Sequence, residues 1–200
     1  MKQEETRQRL IDGTIRVIAR EGMDKATTKQ IGLETNINEA YIYRCFADKE
    51  DMFAKAFASL DNELEREIDK RLPILSMPDL SNRERARILY GFLWRFLLGK
   101  KDKCKCYIQY YHSPYFNKYS AKEHSARYQP LVDRFTAAFK EEAKVKMLLN
   151  FSLNTMLLFA LKVFDGLIPD DDDTEEHVFR VIYGSIQQYF KETGENVGEQ

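Results

Sequence analysis

An all-helical fold is predicted from three observations. Glycine and proline are scarce, 9 and 5 in 200 residues, which leaves little material for the many turns of a β fold. Apolar residues recur at three- and four-residue spacing along much of the chain. Residues suited to capping helices stand where those runs begin. With 44% hydrophobic and 32% charged residues, the chain has enough apolar content for a core and enough charge for a solvated surface.

The elements follow in order, about nine helices in all. The first covers about residues 6–21, where Leu10, Ile11, Ile15 and Ile18 share a face and Gly22 follows as a stop. Thr27 and Gln30 make a capping box ahead of Ile31 and Leu33, so the second helix spans Thr28–Thr35. Asn36 suits the left-handed turn after it. The third helix, Asn38–Arg44, is barely two turns long. Asp48 caps the fourth, with Asp51 at its third position, and that helix runs through Phe57 and a charged stretch to about Pro73. Pro73–Pro78 reads as a linker. Further helices are expected at about Asn82–Leu98, Cys104–His112, Ser120–Ala143 with a kink or break at Pro130, Val145–Phe164, and Thr174–Lys191. A polar tail, Gly194–Gln200, is expected to lack order.

The second and third helices, separated by only a few residues, form a helix-turn-helix arrangement. The third cannot bury itself alone, so it must pack on its neighbours through Ile37, Ile42 and Phe46. That leaves Asn38, Glu39, Ala40, Tyr41, Tyr43 and Arg44 facing outward. A short helix of polar, aromatic and small residues, held from behind, suits entry into a DNA major groove.

The run from Thr27 to Met52 resembles the signature of the tetracycline-repressor (TetR) family. The matching positions are Thr27-Thr28, Ile31, Ile37, Ala40, Ile42-Tyr43, Phe46, Lys49-Glu50 and Met52, in order and without a gap. The departures are Gly32 for the usual Ala, Asn36 for the turn Gly, Asn38 for Ser, and Glu39 where many members carry a basic or small residue. These bear on the operator sequence, not on the fold.

The resemblance implies a helix-turn-helix DNA-binding domain over residues 1–50 and an effector-binding and dimerisation domain over residues 51–200. It implies a ligand-responsive repressor that binds a palindromic operator on double-stranded DNA as a homodimer and is released by a small-molecule effector. Thr28 and Lys29 would bind phosphate at the start of the second helix. Tyr43 would donate its hydroxyl to a phosphate, and Lys49 would clamp the same backbone. Asn38, Ala40 and Tyr41 would meet base edges, and Arg44 either. Glu39 would be repelled by phosphate but can accept a hydrogen bond from a cytosine amino group.

The same resemblance places an effector pocket among helices five to eight. The candidates are Trp94, Tyr107, Tyr110, Tyr111 and Phe151, with Asn154 as a polar group, a lining suited to an apolar or aromatic ligand. At helical spacing such residues equally make a plain core. In the last two helices, Leu153, Met156, Leu157, Val178, Ile182, Ser185, Ile186 and Tyr189 recur at three and four residues, with Gly184 allowing close approach. TetR proteins pair these helices across a dimer; an intramolecular core is the alternative.

Composition narrows the remaining classes. The net charge is −1, and residues 1–50 hold nine basic and nine acidic side chains, so charge alone does not point to nucleic acid. Three cysteines and a polar N-terminus, Met1 to Glu5, suggest a reduced, cytoplasmic protein. Cys104 and Cys106, two apart on a helix, point in nearly opposite directions and cannot share one ion, so no metal or other cofactor is expected. Met147–Ile168 is interrupted by Asn150, Asn154 and Lys162 and reads as a buried helix, not a membrane span. No nucleophile elbow, phosphate loop or His-Glu-x-x-His motif is present, so no enzyme is expected. The balanced charge and Glu39 leave a second reading, a helical ligand- or protein-binding module without DNA affinity.

Overall fold

The computed structural model describes residues 2–191. Among them are nine α-helices: α1 (Lys2–Glu21), α2 (Thr28–Thr35), α3 (Glu39–Cys45), α4 (Lys49–Arg71), α5 (Asn82–Leu98), α6 (Lys101–Tyr111), α7 (Ala121–Thr136), α8 (Glu142–Phe164) and α9 (Asp172–Ile186). The described residues form no strand, only an isolated bridge between Phe139 and Phe190, whose rings stack 4.5 Å apart.

Local chemistry sets most helix starts. Thr27 accepts a bond from the Gln30 amide at 3.2 Å, while the Gln30 side chain accepts from the Thr27 amide at 3.0 Å. Ser81 and Glu84 repeat this reciprocal cap at α5. Asp48 accepts from the Asp51 amide at 2.7 Å ahead of α4, and Asp171 from the Thr174 amide at 2.8 Å ahead of α9. Each cap satisfies a donor that the first helical turn leaves without a partner. Gly22 ends α1 at φ 89°, a left-handed conformation that glycine adopts without a Cβ clash.

Several boundaries differ from expectation. α1 begins near the chain start, and α6 begins three residues ahead of Cys104. The expected linker folds as a 3₁₀ turn, Leu72–Ser76, because Leu72 and Ile74 are apolar enough to be buried. α7 continues through Pro130, and the break falls after Thr136. Burial of Leu131 and Phe135 beyond the proline offsets the one backbone bond that proline removes. α9 gives way at Gln187 to a 3₁₀ turn, Gln187–Tyr189. The expected polar tail, 194–200, lies outside the described residues.

The chain divides into two compact units. The first comprises the chain up to Glu65 together with Lys100–Arg127. In it α1 packs against α2, α3 and α6. Leu10, Val17, Ile18, Ile31, Ile42, Phe53 and Phe57 are essentially inaccessible, and Phe57 stacks on Tyr110 at 4.7 Å. Within this core lies a carboxylate that no pattern in the sequence marks. Asp61 of α4 is fully buried; it accepts from Arg127, from the Tyr107 hydroxyl at 3.2 Å, and lies 2.9 Å from His124 Nδ1. A buried charge survives only when it is paired and hydrogen-bonded, and α6 and α7 supply the partners.

The second unit comprises Arg66–Gly99 and the chain from Tyr128 onward. Here α5 packs on α8 and α9, and Arg87 bridges to Glu175 at 2.7 Å and Glu176 at 3.1 Å. The residues expected to face a partner chain divide. Met156, Leu157, Val178, Ile182 and Ile186 are buried inside this unit, so they form its own core and not an external surface. Leu153 and Tyr189 are half-buried and Ser185 is exposed. The outward apolar stripe of α8 lies one helical face away: Met147, Phe151 and Leu158 are 59%, 41% and 54% exposed. Val181 of α9 is also exposed, and a Cβ at Gly184 would meet nothing within 4 Å. Contrary to the sequence reading, α8 is long and apolar enough to cross a membrane by length and composition, because Asn150, Asn154 and Lys162 are too few to offset its leucines. A core helix passes the same test.

Asp61→Ala should lower the unfolding free energy by about 3 kcal/mol, because it strips Arg127 of its buried partner. Urea titration of the full chain measures this, and an unchanged midpoint would remove the cluster from the supports of the fold.

Candidate nucleic-acid interface

The motif is assembled by contacts that its own residues dictate. Asn36 turns the chain at φ 53°, and its amide donates back to α2, as the left-handed cap requires. Gly32 sits where α2 meets the start of α3: a Cβ there would lie 2.9 Å from the Ile37 carbonyl and 3.7 Å from the Glu39 nitrogen. Glycine therefore brings the two helices closer than the alanine usual in the family would. α3 is anchored from behind by Ile42, fully buried, and by Phe46 just past its end.

The opposite side of α3 is open. Asn38, Glu39, Ala40, Tyr41, Tyr43 and Arg44 are all exposed, as is Lys29 on α2; Thr28 and Lys49 are half-buried. All nine candidates thus fall on α2, α3, the N-cap of α3 and the first residue of α4. Their side chains are partly committed. The Asn38 carbonyl oxygen accepts from the Ala40 amide at 2.9 Å, so it caps α3 and leaves its amide group as the outward donor. The Thr28 hydroxyl donates to the Glu39 carboxylate across the two helices. The Arg44 guanidinium lies 4.8 Å from the Tyr41 ring centroid, and the Lys49 ammonium 5.5 Å from that of Phe53. These contacts limit the rotamers of otherwise flexible cations.

A charged brace holds α2 against α1. Glu34 receives Arg16 at 2.7 Å and Arg20 at 3.0 Å. Those hydrogen bonds, Arg16's first, hold the Glu34 carboxyl below the usual carboxylate range. Because the folded pKa is the depressed one, the brace stabilises the fold at neutral pH and fades as pH falls through that range.

The expected effector residues are dispersed. Tyr107, Tyr110 and Tyr111 belong to the first unit, and Trp94, Phe151 and Asn154 to the second. Tyr107 and Tyr110 are buried with their hydroxyls engaged, the first by Asp61 and the second by Ser120 at 2.9 Å. Trp94 is buried against Tyr90, whereas Phe151 is exposed and Asn154 bonds to the Asn150 carbonyl of its own helix. Sequence reading missed Asp61, His124 and Arg127, since nothing local marks residues 63 and 66 positions apart as partners. Burial pushes the Cys104 thiol up to about 12 and raises Cys106 as well, so neither is a thiolate at neutral pH.

Comparison with known proteins agrees with this geometry. Residues 10–56 match the family model described as bacterial regulatory proteins, tetR family. A nicotine-responsive transcriptional repressor of Paenarthrobacter nicotinovorans, HdnoR, is 38% identical over 64 residues, 32% of this chain and 33% of that protein. The match thus spans about a third of the relative's length. A TetR family transcription regulator from Marinobacter aquaeolei VT8 superposes with a TM-score of 0.75 at 18% identity, covering 92% of this chain and 98% of that one. The multidrug binding protein EbrR, solved with imidazole, gives 0.63 at 19% identity, covering 90% and 89%. At these identities the solved structures bear on the fold alone.

A three-helix N-terminal motif with an exposed α3, followed by further helices, places the chain in the class of all-helical helix-turn-helix proteins. Within it, residues 10–56 are similar to the N-terminal domain of the bacterial regulatory proteins of the tetR family, and the whole helical fold is similar to that of solved TetR family regulators.

The turn offers a direct check of the local argument. Asn36→Gly should leave stability unchanged or slightly raised, whereas Asn36→Val should cost about 1–2 kcal/mol by forcing a β-branched residue into the left-handed region. Thermal unfolding of the two variants decides it, and equal melting temperatures would refute the strain argument.

Proposed function

We propose that the protein is a ligand-responsive transcriptional repressor that binds a two-fold symmetric operator as a homodimer and is released by a small-molecule effector. The observation that carries the reading is the short α3, anchored by Ile42 and presenting six consecutive or near-consecutive outward residues. The similarity to a repressor over 64 residues supports it. DNA reading is assigned to residues 1–50, and effector binding and dimerisation to residues 51–200.

The roles follow from position. Lys29 and the N-terminal turn of α2, begun by Thr28, offer a phosphate both charge and main-chain donors. Tyr43 and Lys49 hold the neighbouring backbone, while Asn38, Ala40 and Tyr41 meet base edges and Arg44 serves either surface. The second copy covers the outward stripe of Met147, Phe151 and Leu158 with Val181 and Gly184. That much exposed apolar surface on one face is costly in water and favourable against its own symmetry mate. Two α3 helices then meet half-sites about 34 Å apart. The effector is expected to be apolar or aromatic, drawn from water by aromatic side chains. Its binding favours a spacing of the two α3 helices that no longer fits successive grooves. Such a protein works in the cytoplasm.

Selection from a random duplex pool should return a palindromic site. Lys49→Ala should weaken all duplexes alike and reduce the slope of log affinity against log salt by about one. A loss confined to particular sequences would refute its phosphate role, and no enrichment at low salt would refute DNA binding itself. Leu158→Glu should convert the dimer to a monomer in sedimentation velocity at micromolar concentration. A wild-type monomer, or an unaffected dimer, would overturn this placement of the interface.

A further inference from the structure

We infer that Glu39 is a base-reading residue that selects cytosine, and that Thr28 and Gly32 hold it in place to do so. The inference rests on the proposed DNA-binding function and adds a specificity that the function alone does not supply. Glu39 is the first residue of α3, exposed, at the start of the helix proposed above to enter a major groove. A flexible glutamate at that position would be a poor reader, since its side chain samples several rotamers and its charge opposes the phosphates. The structure removes the first difficulty. The Thr28 hydroxyl, at the start of α2, donates to Glu39 Oε1. The contact spans 11 positions in sequence and depends on α2 and α3 lying close together.

Gly32 provides that closeness. It stands one helical turn after Thr28 on α2, and its missing Cβ leaves room for the Ile37 carbonyl and the Glu39 backbone. Gly32 and Glu39 are also two of the four positions, with Asn36 and Asn38, where the motif departs from the TetR signature it resembles. Both departures have one physical explanation: the glycine admits the start of α3, and the threonine then reaches the glutamate.

With Oε1 engaged, the carboxylate retains Oε2 and further lone pairs as acceptors, and it has no donor of its own. Among the four bases, guanine presents acceptors in the major groove and thymine an acceptor with a methyl group. Adenine places its amino donor beside the N7 acceptor. Cytosine presents an amino donor without an acceptor of its own beside it. A fixed carboxylate is therefore matched best by cytosine, less well by adenine, whose N7 acceptor sits beside its amino donor, and is repelled by guanine and thymine. The negative charge weakens contact with any backbone, so Glu39 exchanges general affinity for discrimination at one base pair of each half-site.

The test is duplex selection followed by competition binding at fixed salt, with wild type, Glu39→Gln, Glu39→Ala, Thr28→Val and Thr28→Ser. Glu39 is exposed, and thermal melting of each variant confirms an unaltered fold. Wild type should favour cytosine about tenfold at one position of each half-site. Glu39→Gln should move that preference to adenine, whose amino group and N7 match an amide. Glu39→Ala should flatten it while strengthening binding to unrelated duplex. Thr28→Val should lower the preference, and Thr28→Ser should restore it. An unchanged preference in both Glu39 variants would overturn the inference while leaving DNA binding intact. A preference that survives Thr28→Val would overturn the positioning role. Failure of the wild type to bind any duplex at low salt would overturn the proposed function and this inference with it.

Discussion

The working surface of this protein depends on one constraint: α3 has seven residues and cannot hold itself together. A helix of that length is unstable in water, because too few hydrogen bonds repay the cost of its first turn. Its position is set entirely from outside. Ile42 is its one fully buried side chain, Phe46 fixes the chain just beyond it, and the Asn38 side chain closes its first turn. With the inner side occupied in this way, the rest of the helix is left exposed.

The remainder of the first unit can be understood as support for that short element. α1 packs on α2 and α3, the Arg16–Glu34–Arg20 brace holds α1 against α2, and α6 backs α1 from a distant part of the sequence. The Asp61 cluster draws α4, α6 and α7 onto one buried carboxylate. Such a cluster adds directional constraint, since a paired charge has few acceptable geometries whereas apolar side chains tolerate many. The second unit is built differently. Its core is an apolar layer among α5, α8 and α9, with the Arg87 bridges at its margin.

Much of the motif was legible residue by residue, because its determinants are local. The Thr27–Gln30 box, the Asp48 cap and the left-handed Asn36 each act within four residues, and the structure forms each of them. The lining of an effector pocket was not legible. Aromatic residues at helical spacing look alike whether they fill a core or line a cavity, and Tyr107 and Tyr110 prove to be buried with their hydroxyls already engaged. The inward face of α8 was not legible for a related reason. Apolar residues occupy so much of its circumference that periodicity does not distinguish the side holding Met156 and Leu157 from the side holding Met147 and Leu158.

By itself, then, the sequence determined the helical class, the order of the helices and the motif, because capping, turn conformation and hydrophobic period are properties of neighbouring residues. Only the tertiary structure decided which apolar face of α8 and α9 turns inward. It alone gave Asp61 its partners 63 and 66 residues away, and brought Thr28 to Glu39 across the gap that Gly32 leaves. These are relations between residues far apart along the chain, and packing, not local propensity, selects among the many pairings that the composition permits.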